Sequence, residues 1–107
     1  MEQLVNFIKM SSEQTVLTDS EIELVAHRFK ILSEPSRLKI LRSLFDGEKN
    51  VTEIIYNTGL LQANVSKQLS LLQKNGIVAC RPDGLLRYYK LTDLTIIQIC
   101  SAVCGRG

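Results

Sequence analysis

A change of periodicity in the middle of the chain constrains the fold more than any other feature of the sequence. Between residues 50 and 75, apolar residues recur at helical spacing, and a turn at Gly59 interrupts them. After Gly76 the pattern becomes two short β-rich runs around residues 82–84, which is typical of a hairpin. Two helices joined by a tight turn and followed directly by a hairpin form a winged helix-turn-helix.

Helix-start signals place two helices before this segment. Thr18 and Glu21 match a capping box ahead of a helix over about residues 19–32. Pro35 suits the first turn of a second helix, which we expect Gly47 to end.

Two further signals complete the predicted order of elements. Asn50 can cap the third helix with Glu53 returning the bond, and Asp93 or Thr92 can cap a last helix. The predicted fold is mainly α with a small β-hairpin, in the order α-α-α-α-β-β-α. We expect residues 1–18 to form a partly helical or frayed arm and residues 19–107 to form one winged helix-turn-helix domain.

The fourth predicted helix carries a cluster of polar side chains. Val65, Leu69 and Leu72 recur at i, i+4 and i+7 and predict one buried stripe, with the polar residues facing solvent. Amides and hydroxyls pair with base edges in the major groove of DNA, and lysine pairs with guanine or a phosphate. The predicted DNA-reading residues are Gln62, Asn64, Ser66, Lys67 and Gln68. An ordinary solvated helix face would carry the same residue types.

The charges are distributed unevenly although the net charge is only +2. Residues 60–91 hold five basic residues against one acidic, whereas residues 1–34 hold three basic against six acidic. One face could therefore approach a phosphate backbone while another could not. Arg81 and Arg87 flank the hairpin tip, and we expect them to contact phosphates or a narrow minor groove. The alternative is that they only keep the hairpin soluble.

The last predicted helix is apolar almost all round, with two adjacent stripes. One stripe consists of Ile96, Ile99 and Val103, and the other consists of Ile97, Cys100 and Cys104. A terminal helix on a 107-residue domain cannot bury both stripes against its own core, so a partner helix should cover the remainder. We therefore expect a homodimer, and its twofold axis would set two base-reading helices about one turn of DNA apart.

Three segments in order resemble the ArsR/SmtB family of winged-helix repressors. They read FKILSEPSRLKILRSL, TGLLQANVSKQLSLLQKNGIV and RYYKL, and the resemblance covers roughly residues 22–104. It implies a homodimer that binds an inverted-repeat operator in double-stranded DNA and leaves it when an effector binds. It also implies that the base-reading helix is Gln62 to Leu72 and that the wing is Arg81 to Arg87.

The effector sites of that family do not transfer directly to this chain. The helix NVTEIIYNTG lacks the cysteine pair of arsenic and cadmium sensors, and Asp93 has no histidine nearby for a zinc site. Thiol sensors of the family join a second-helix cysteine to one near the end of the last helix. Cys104 matches the latter position, but Arg42 occupies the former.

The remaining candidates for sensing are the cysteines themselves. Cys100 and Cys104 lie one helical turn apart, and Cys80 lies on the first hairpin strand. Such thiols could oxidise or bind a soft ion such as arsenite, Cd²⁺ or Zn²⁺, with thiolates from a partner chain completing the site. The alternative is an ArsR-type repressor whose cysteines only pack at the dimer interface.

Other functional classes have less support in the sequence. His27 is the only histidine and lies outside any catalytic motif, so we do not expect an enzyme. No apolar run approaches the ~20 residues that span a bilayer, and a signal peptide is not evident, which favours a cytoplasmic protein. The main rival is a winged-helix module that binds protein, because the base-reading helix has only Lys67 and Lys74 and the wing tip carries Asp83.

Overall fold

The computed structural model describes residues 16–105. Within this range the chain forms five helices and three strands. The elements are α1 (Asp19–Leu32), α2 (Pro35–Ser43), β1 (Lys49–Asn50), α3 (Val51–Thr58), α4 (Gln62–Lys74), β2 (Val78–Asp83), β3 (Leu86–Leu91) and α5 (Thr95–Val103). The predicted winged helix-turn-helix is confirmed. The arm predicted for residues 1–18 lies almost entirely outside the described residues, and residues 106–107 lie outside them too.

The described part of the chain divides into two compact units, and the division falls between residues 30 and 31. In the first unit, the capping box of α1 is present: the Thr18 amide donates to Glu21, and the Glu21 amide donates to the Thr18 hydroxyl. These backbone and side-chain hydrogen bonds from Thr18 hold the pKa of the Glu21 carboxyl below its ordinary value. The apolar residues Ile22, Val25 and Phe29 of α1 are each at least 40% exposed.

In the second unit, α2 begins as the sequence predicts but ends earlier. The Glu34 carboxylate accepts hydrogen bonds from the amides of Ser36 and Arg37, and Pro35 occupies the first turn. The helix ends at Ser43 rather than near Gly47. The Ser43 hydroxyl donates to the Ile40 carbonyl at 2.6 Å. The amides after Ser43 donate to carbonyls three residues earlier rather than four, so the chain continues as a tighter turn instead of an α-helix.

A third strand, which the sequence does not predict, completes the sheet. β1 has only two residues and pairs antiparallel with β3, with Lys49 opposite Tyr89, so the strand order is β1-β3-β2. The turn of the hairpin is residues 84–85 rather than the predicted 82–84, since Pro82 and Asp83 still pair with β3 and Gly84 takes the left-handed conformation at φ +62°. A two-residue strand carries no alternation of its own and exists only through its partner strand.

One apolar core fills the second unit. The predicted stripe of α4 is confirmed, since Val65, Leu69 and Leu72 are all buried. The largest fully buried side chains are Ile40, Leu41, Ile54, Leu69, Leu72, Ile96 and Val65. The core therefore fixes α4 against α2, α3 and β2, and the opposite side of α4 is left at the surface. Among the helices of residues 16–105, none offers the length of apolar sequence that a membrane-spanning helix needs.

Candidate nucleic-acid interface

The turn between α3 and α4 is short and closed by hydrogen bonds. Gly59 caps α3 in the left-handed conformation at φ +71°, and its amide donates to the Ile55 carbonyl at 2.9 Å. The Thr58 hydroxyl then accepts from the Leu60 amide at 3.3 Å, and α4 begins two residues later. This closed turn gives the two helices a defined crossing, as a helix-turn-helix requires.

The exposed face of α4 meets the wing across a cleft. Gln62, Ser66 and Lys67 are exposed as predicted. Gln62 and Ser66 line a cleft of about 300 Å³ whose far side is formed by the hairpin tip. The other lining residues are Asn50, Val51, Thr52, Ile55, Leu85, Leu86 and Arg87. The start of α3, the polar face of α4 and the wing therefore share one concave surface.

Two of the predicted base-reading residues do not face solvent as expected. Gln68 is only 7% exposed, and its carbonyl accepts from the Arg37 guanidinium at 3.2 Å. The Gln68 amide group donates to Asn64 Oδ1 at 3.0 Å, and Asn64 in turn donates to the Ser36 hydroxyl at 3.2 Å. The expectation of a solvent-facing Gln68 is wrong because residue 68 lies three positions after Val65 and so shares its inward side. Asn64 is half-buried.

The two arginines of the wing differ in their surroundings. Arg81 makes a two-pronged ion pair with Glu48, with Nη2 to Oε1 at 2.7 Å and Nε to Oε2 at 3.1 Å. Its guanidinium also lies 4.7 Å from the centre of the Tyr88 ring and 3.7 Å from an Asp83 carboxylate oxygen. Arg87 is exposed and lines the cleft.

The Glu48–Arg81 pair also shifts both titrations. The hydrogen bond from Arg81 holds the pKa of the Glu48 carboxyl below its ordinary value, and the same bond raises the pKa of Arg81. Sequence reasoning missed Glu48, which lies 33 residues before Arg81 and whose proximity depends on the pairing of β1 with β3. The sequence of the β2–β3 hairpin contains no signal for this ion pair, because β1 lies outside the hairpin.

The three cysteines fall into two places. Cys100 and Cys104 line one groove of about 320 Å³ with Leu38, Lys39, Arg42 and Phe45. Arg42 and Cys104 thus share a groove, as the resemblance to thiol sensors implies for those two positions. Cys80 does not line this groove; it packs against the core on β2 opposite Tyr89. Burial and, to a lesser extent, the hydrogen bond with Cys80 raise the pKa of the Tyr89 hydroxyl.

A metal site within one chain has no support in this arrangement. Across residues 16–105, no three His, Cys, Asp or Glu side chains come together in a way that could hold a metal ion. Two thiolates from Cys100 and Cys104 would need further ligands from elsewhere.

Comparison with known proteins places these features among bacterial regulators. The model of the bacterial regulatory protein, arsR family, matches residues 34–79. The uncharacterized HTH-type transcriptional regulator Rv0081 of Mycobacterium tuberculosis (strain ATCC 25618 / H37Rv) is 35% identical over 78 residues, which are 72% of this chain and 68% of that protein.

Two solved structures carry the same likeness in three dimensions. The crystal structure of AntR, an antimony-specific transcriptional repressor, matches with a TM-score of 0.77 at 26% identity and covers 85% of this chain and 84% of that one. The solution structure of the homodimeric winged helix-turn-helix DNA-binding domain Mb0332 from Mycobacterium bovis matches with a TM-score of 0.67 at 29% identity. That match covers 84% of this chain and 86% of the other.

Proposed function

Because this chain belongs to the ArsR family of bacterial regulatory proteins, whose members regulate transcription, we propose that it is a repressor that binds an inverted-repeat operator as a homodimer. Its partners are then double-stranded DNA and a second copy of itself, and its place of work is the cytoplasm, where the operator lies. Catalysis has no part in this function.

The observation that carries the proposal is the concave surface shared by α4 and the wing. Gln62, Ser66 and Lys67 project from one exposed side of α4, which suits them to read base edges in a major groove. Arg87, on the far side of the cleft, then reaches the neighbouring phosphates or minor groove. Asn64 and Gln68 could contact bases only by breaking their hydrogen bonds within the domain. We therefore assign the base contacts to Gln62, Ser66 and Lys67.

The homodimer is supported by apolar surface on two helices. On α5 Val103 is 75% exposed and Ile97 is half-buried, although both belong to the apolar stripes noted in the sequence. On α1 Ile22, Val25 and Phe29 are also exposed. A second copy is the partner we propose for these faces, in line with the homodimeric Mb0332 domain. The twofold axis would place two α4 helices about one DNA turn apart.

Release from the operator is proposed to depend on Cys100 and Cys104. Both thiols line an open groove beside the cations of Lys39 and Arg42, where an oxidant or a soft ion such as arsenite, Cd²⁺ or Zn²⁺ could reach them. In support of an effector of this chemical class, the similar structure AntR is an antimony-specific transcriptional repressor. Cys80 is assigned the lesser role, because its side chain packs against the core. The alternative is an ArsR-type repressor without cysteine-based sensing, in which the cysteines only pack.

A protein-binding module is the second candidate function, and exposed apolar residues near the cleft favour it. Tyr56, Leu61 and Leu85 are each at least 80% exposed. Such side chains could anchor a protein partner instead of framing DNA.

The test is binding of the purified protein to duplex DNA from the region upstream of its own gene. We expect binding in reductant and release by peroxide, arsenite or Cd²⁺, with the Cys100→Ser/Cys104→Ser variant bound under every condition and Cys80→Ser behaving as the wild type. Release of the double variant would contradict the sensing role. Binding indifferent to every treatment would favour cysteines that only pack, and absence of binding would favour the protein-binding module.

A further inference from the structure

A chain of side-chain hydrogen bonds runs from the end of α1, through the first turn of α2, into α4. Arg37 Nε donates to the Ile31 carbonyl at 2.6 Å, and Arg37 Nη1 donates to Gln68 Oε1 at 3.2 Å. Gln68 then donates to Asn64, and Asn64 donates to Ser36 back on α2. Two turns of α4 are thus tied to one turn of α2.

Every member of this network that is removed from water has a partner. Gln68 is the single buried polar side chain among residues 16–105, and both ends of its amide are used. Glu34 fixes the other side by accepting from the amides of Ser36 and Arg37. Desolvation opposes ionisation of Glu34, but these hydrogen bonds outweigh it and lower its pKa, so the cap stays charged at neutral pH. A fully satisfied network of this kind is rigid.

The network fixes the rotation of α4 more sharply than the apolar core alone. Val65, Leu69 and Leu72 bury one side of α4, but the energy of apolar contacts depends little on direction. Hydrogen bonds from Arg37 and Gln68 have fixed directions, so they set the rotation of α4 about its axis. Base contacts require side chains to be held within about 0.5 Å of the productive position.

We infer that Arg37 and Gln68 are positioning residues for operator recognition, holding α4 at the rotation that presents Gln62, Ser66 and Lys67 to the bases. This inference rests on the proposed function. It separates Arg37 from the cations that contact DNA, since its Nε and Nη1 groups are used inside the domain. It also changes the role of Gln68 from reading a base to supporting the residues that read.

The rival explanation is that Arg37 contacts a phosphate directly. A phosphate contact adds affinity for every sequence and steepens the salt dependence, whereas a positioning residue adds affinity only where base contacts form. The two explanations therefore differ in binding to random DNA, which is measurable.

The experiment compares Arg37→Met, Gln68→Met and the double variant with Arg42→Met, which removes an exposed arginine of the same helix outside the network. The probes are a duplex selected from a random library by the wild-type protein and a scrambled duplex of the same composition. Unfolding by urea is followed for each variant, so that loss of folded protein is separated from loss of recognition.

We expect Arg37→Met to weaken binding to the selected duplex by about tenfold, which corresponds to about 1.4 kcal/mol. Binding to the scrambled duplex and the salt dependence should stay as in the wild type. Gln68→Met should behave in the same way, and the double variant should lose less than the product of the two single losses. Arg42→Met should bind both duplexes as the wild type does.

Three results would overturn the inference. Equal losses on both duplexes with a shallower salt dependence would make Arg37 a phosphate contact, and wild-type preference in both folded single variants would remove any positioning role. If Arg37→Met does not fold, Gln68→Met alone decides by the same criterion. Failure of the wild-type protein to select any sequence would overturn the proposed function itself, and this inference with it.

Discussion

At the scale of single residues, Arg81 shows how one neighbour changes what a basic side chain can do. The sequence places Arg81 and Arg87 symmetrically about the wing tip and predicts the same role for both. In the fold, Glu48 takes the guanidinium of Arg81 in a two-pronged ion pair, while Arg87 stays exposed beside the cleft. The pair is partly exposed, so it adds little to the stability of the fold. Its main consequence is that the Arg81 charge is neutralised on the wing while the Arg87 charge is not.

This arrangement predicts that Glu48→Gln strengthens DNA binding. Without the carboxylate, the Arg81 guanidinium is free to contact a phosphate, so affinity should rise for all sequences and the slope of log K against log salt should steepen by about 0.9. Asp46→Asn is the matched control, since it removes the same charge from the same loop but pairs with Lys49 instead. The prediction fails if the two variants bind DNA equally or if Glu48→Gln binds more weakly than the wild type.

A second prediction separates the residues that read bases from those that contact the backbone. Gln62→Ala should reduce discrimination between the selected and scrambled duplexes by about 1–3 kcal/mol if Gln62 makes a bidentate contact to adenine. Arg87→Ala should weaken binding to both duplexes by a similar factor, because phosphate contacts carry no sequence information. Competition binding with the two duplexes measures both effects. Equal losses on the two duplexes for Gln62→Ala would contradict its assignment.

At the scale of elements, features set by residues close together in the chain could be predicted, and features set by distant residues could not. The caps of α1 and α3 involve residues three apart, and all of their predicted hydrogen bonds are present. β1 depends on a partner strand nearly forty residues later, so nothing in the residues adjacent to it specifies it. The early end of α2 coincides with the hydrogen bond from the Ser43 hydroxyl to the Ile40 carbonyl, and apolar periodicity carries no signal for such a bond.

The features of the candidate site likewise divide into those set by local spacing and those set by contacts between distant residues. The exposure of Gln62, Ser66 and Lys67 follows from their spacing relative to the apolar stripe of α4. The burial of Gln68 was foreseeable from its three-residue offset to Val65, but its partner Arg37 is 31 residues away in the sequence. The sharing of one groove by Arg42 and Cys104 likewise needs the packing of α2 with α5.

The capping box of α3 provides a prediction at this scale. Asn50→Ala removes the side chain that accepts from the Glu53 amide at 2.9 Å, and it should lower the free energy of unfolding by about 1 kcal/mol. Urea denaturation measures this loss, and Asn57→Ala is the control because it lies exposed in the last turn of the same helix. An equal effect of the two changes would show that the cap contributes nothing specific.

At the scale of the whole molecule, the proposed dimer accounts for apolar surface that a single chain leaves uncovered. Val103→Asp places a charge on the exposed side of α5 and should shift the protein from dimer toward monomer. Sedimentation equilibrium should then give a mass near the 12.0 kDa of one chain, where the wild type gives twice that. Leu85→Asp makes the same change at the wing tip and should leave the dimer intact. A wild-type protein that sediments as a monomer would contradict the dimer.

DNA binding by this protein is tested first by the salt dependence of its binding to two duplexes, one selected from a random library and one scrambled, measured by fluorescence anisotropy. A DNA-binding repressor should prefer the selected duplex. If the dimer makes about six or more phosphate contacts, its affinity should fall by about a thousandfold or more between roughly 50 and 200 mM salt, because the counterions released on binding gain less entropy as the salt concentration rises. Equal affinity for the two duplexes, or binding that hardly changes with salt, would contradict a role as a DNA-binding repressor and favour a winged helix that binds protein.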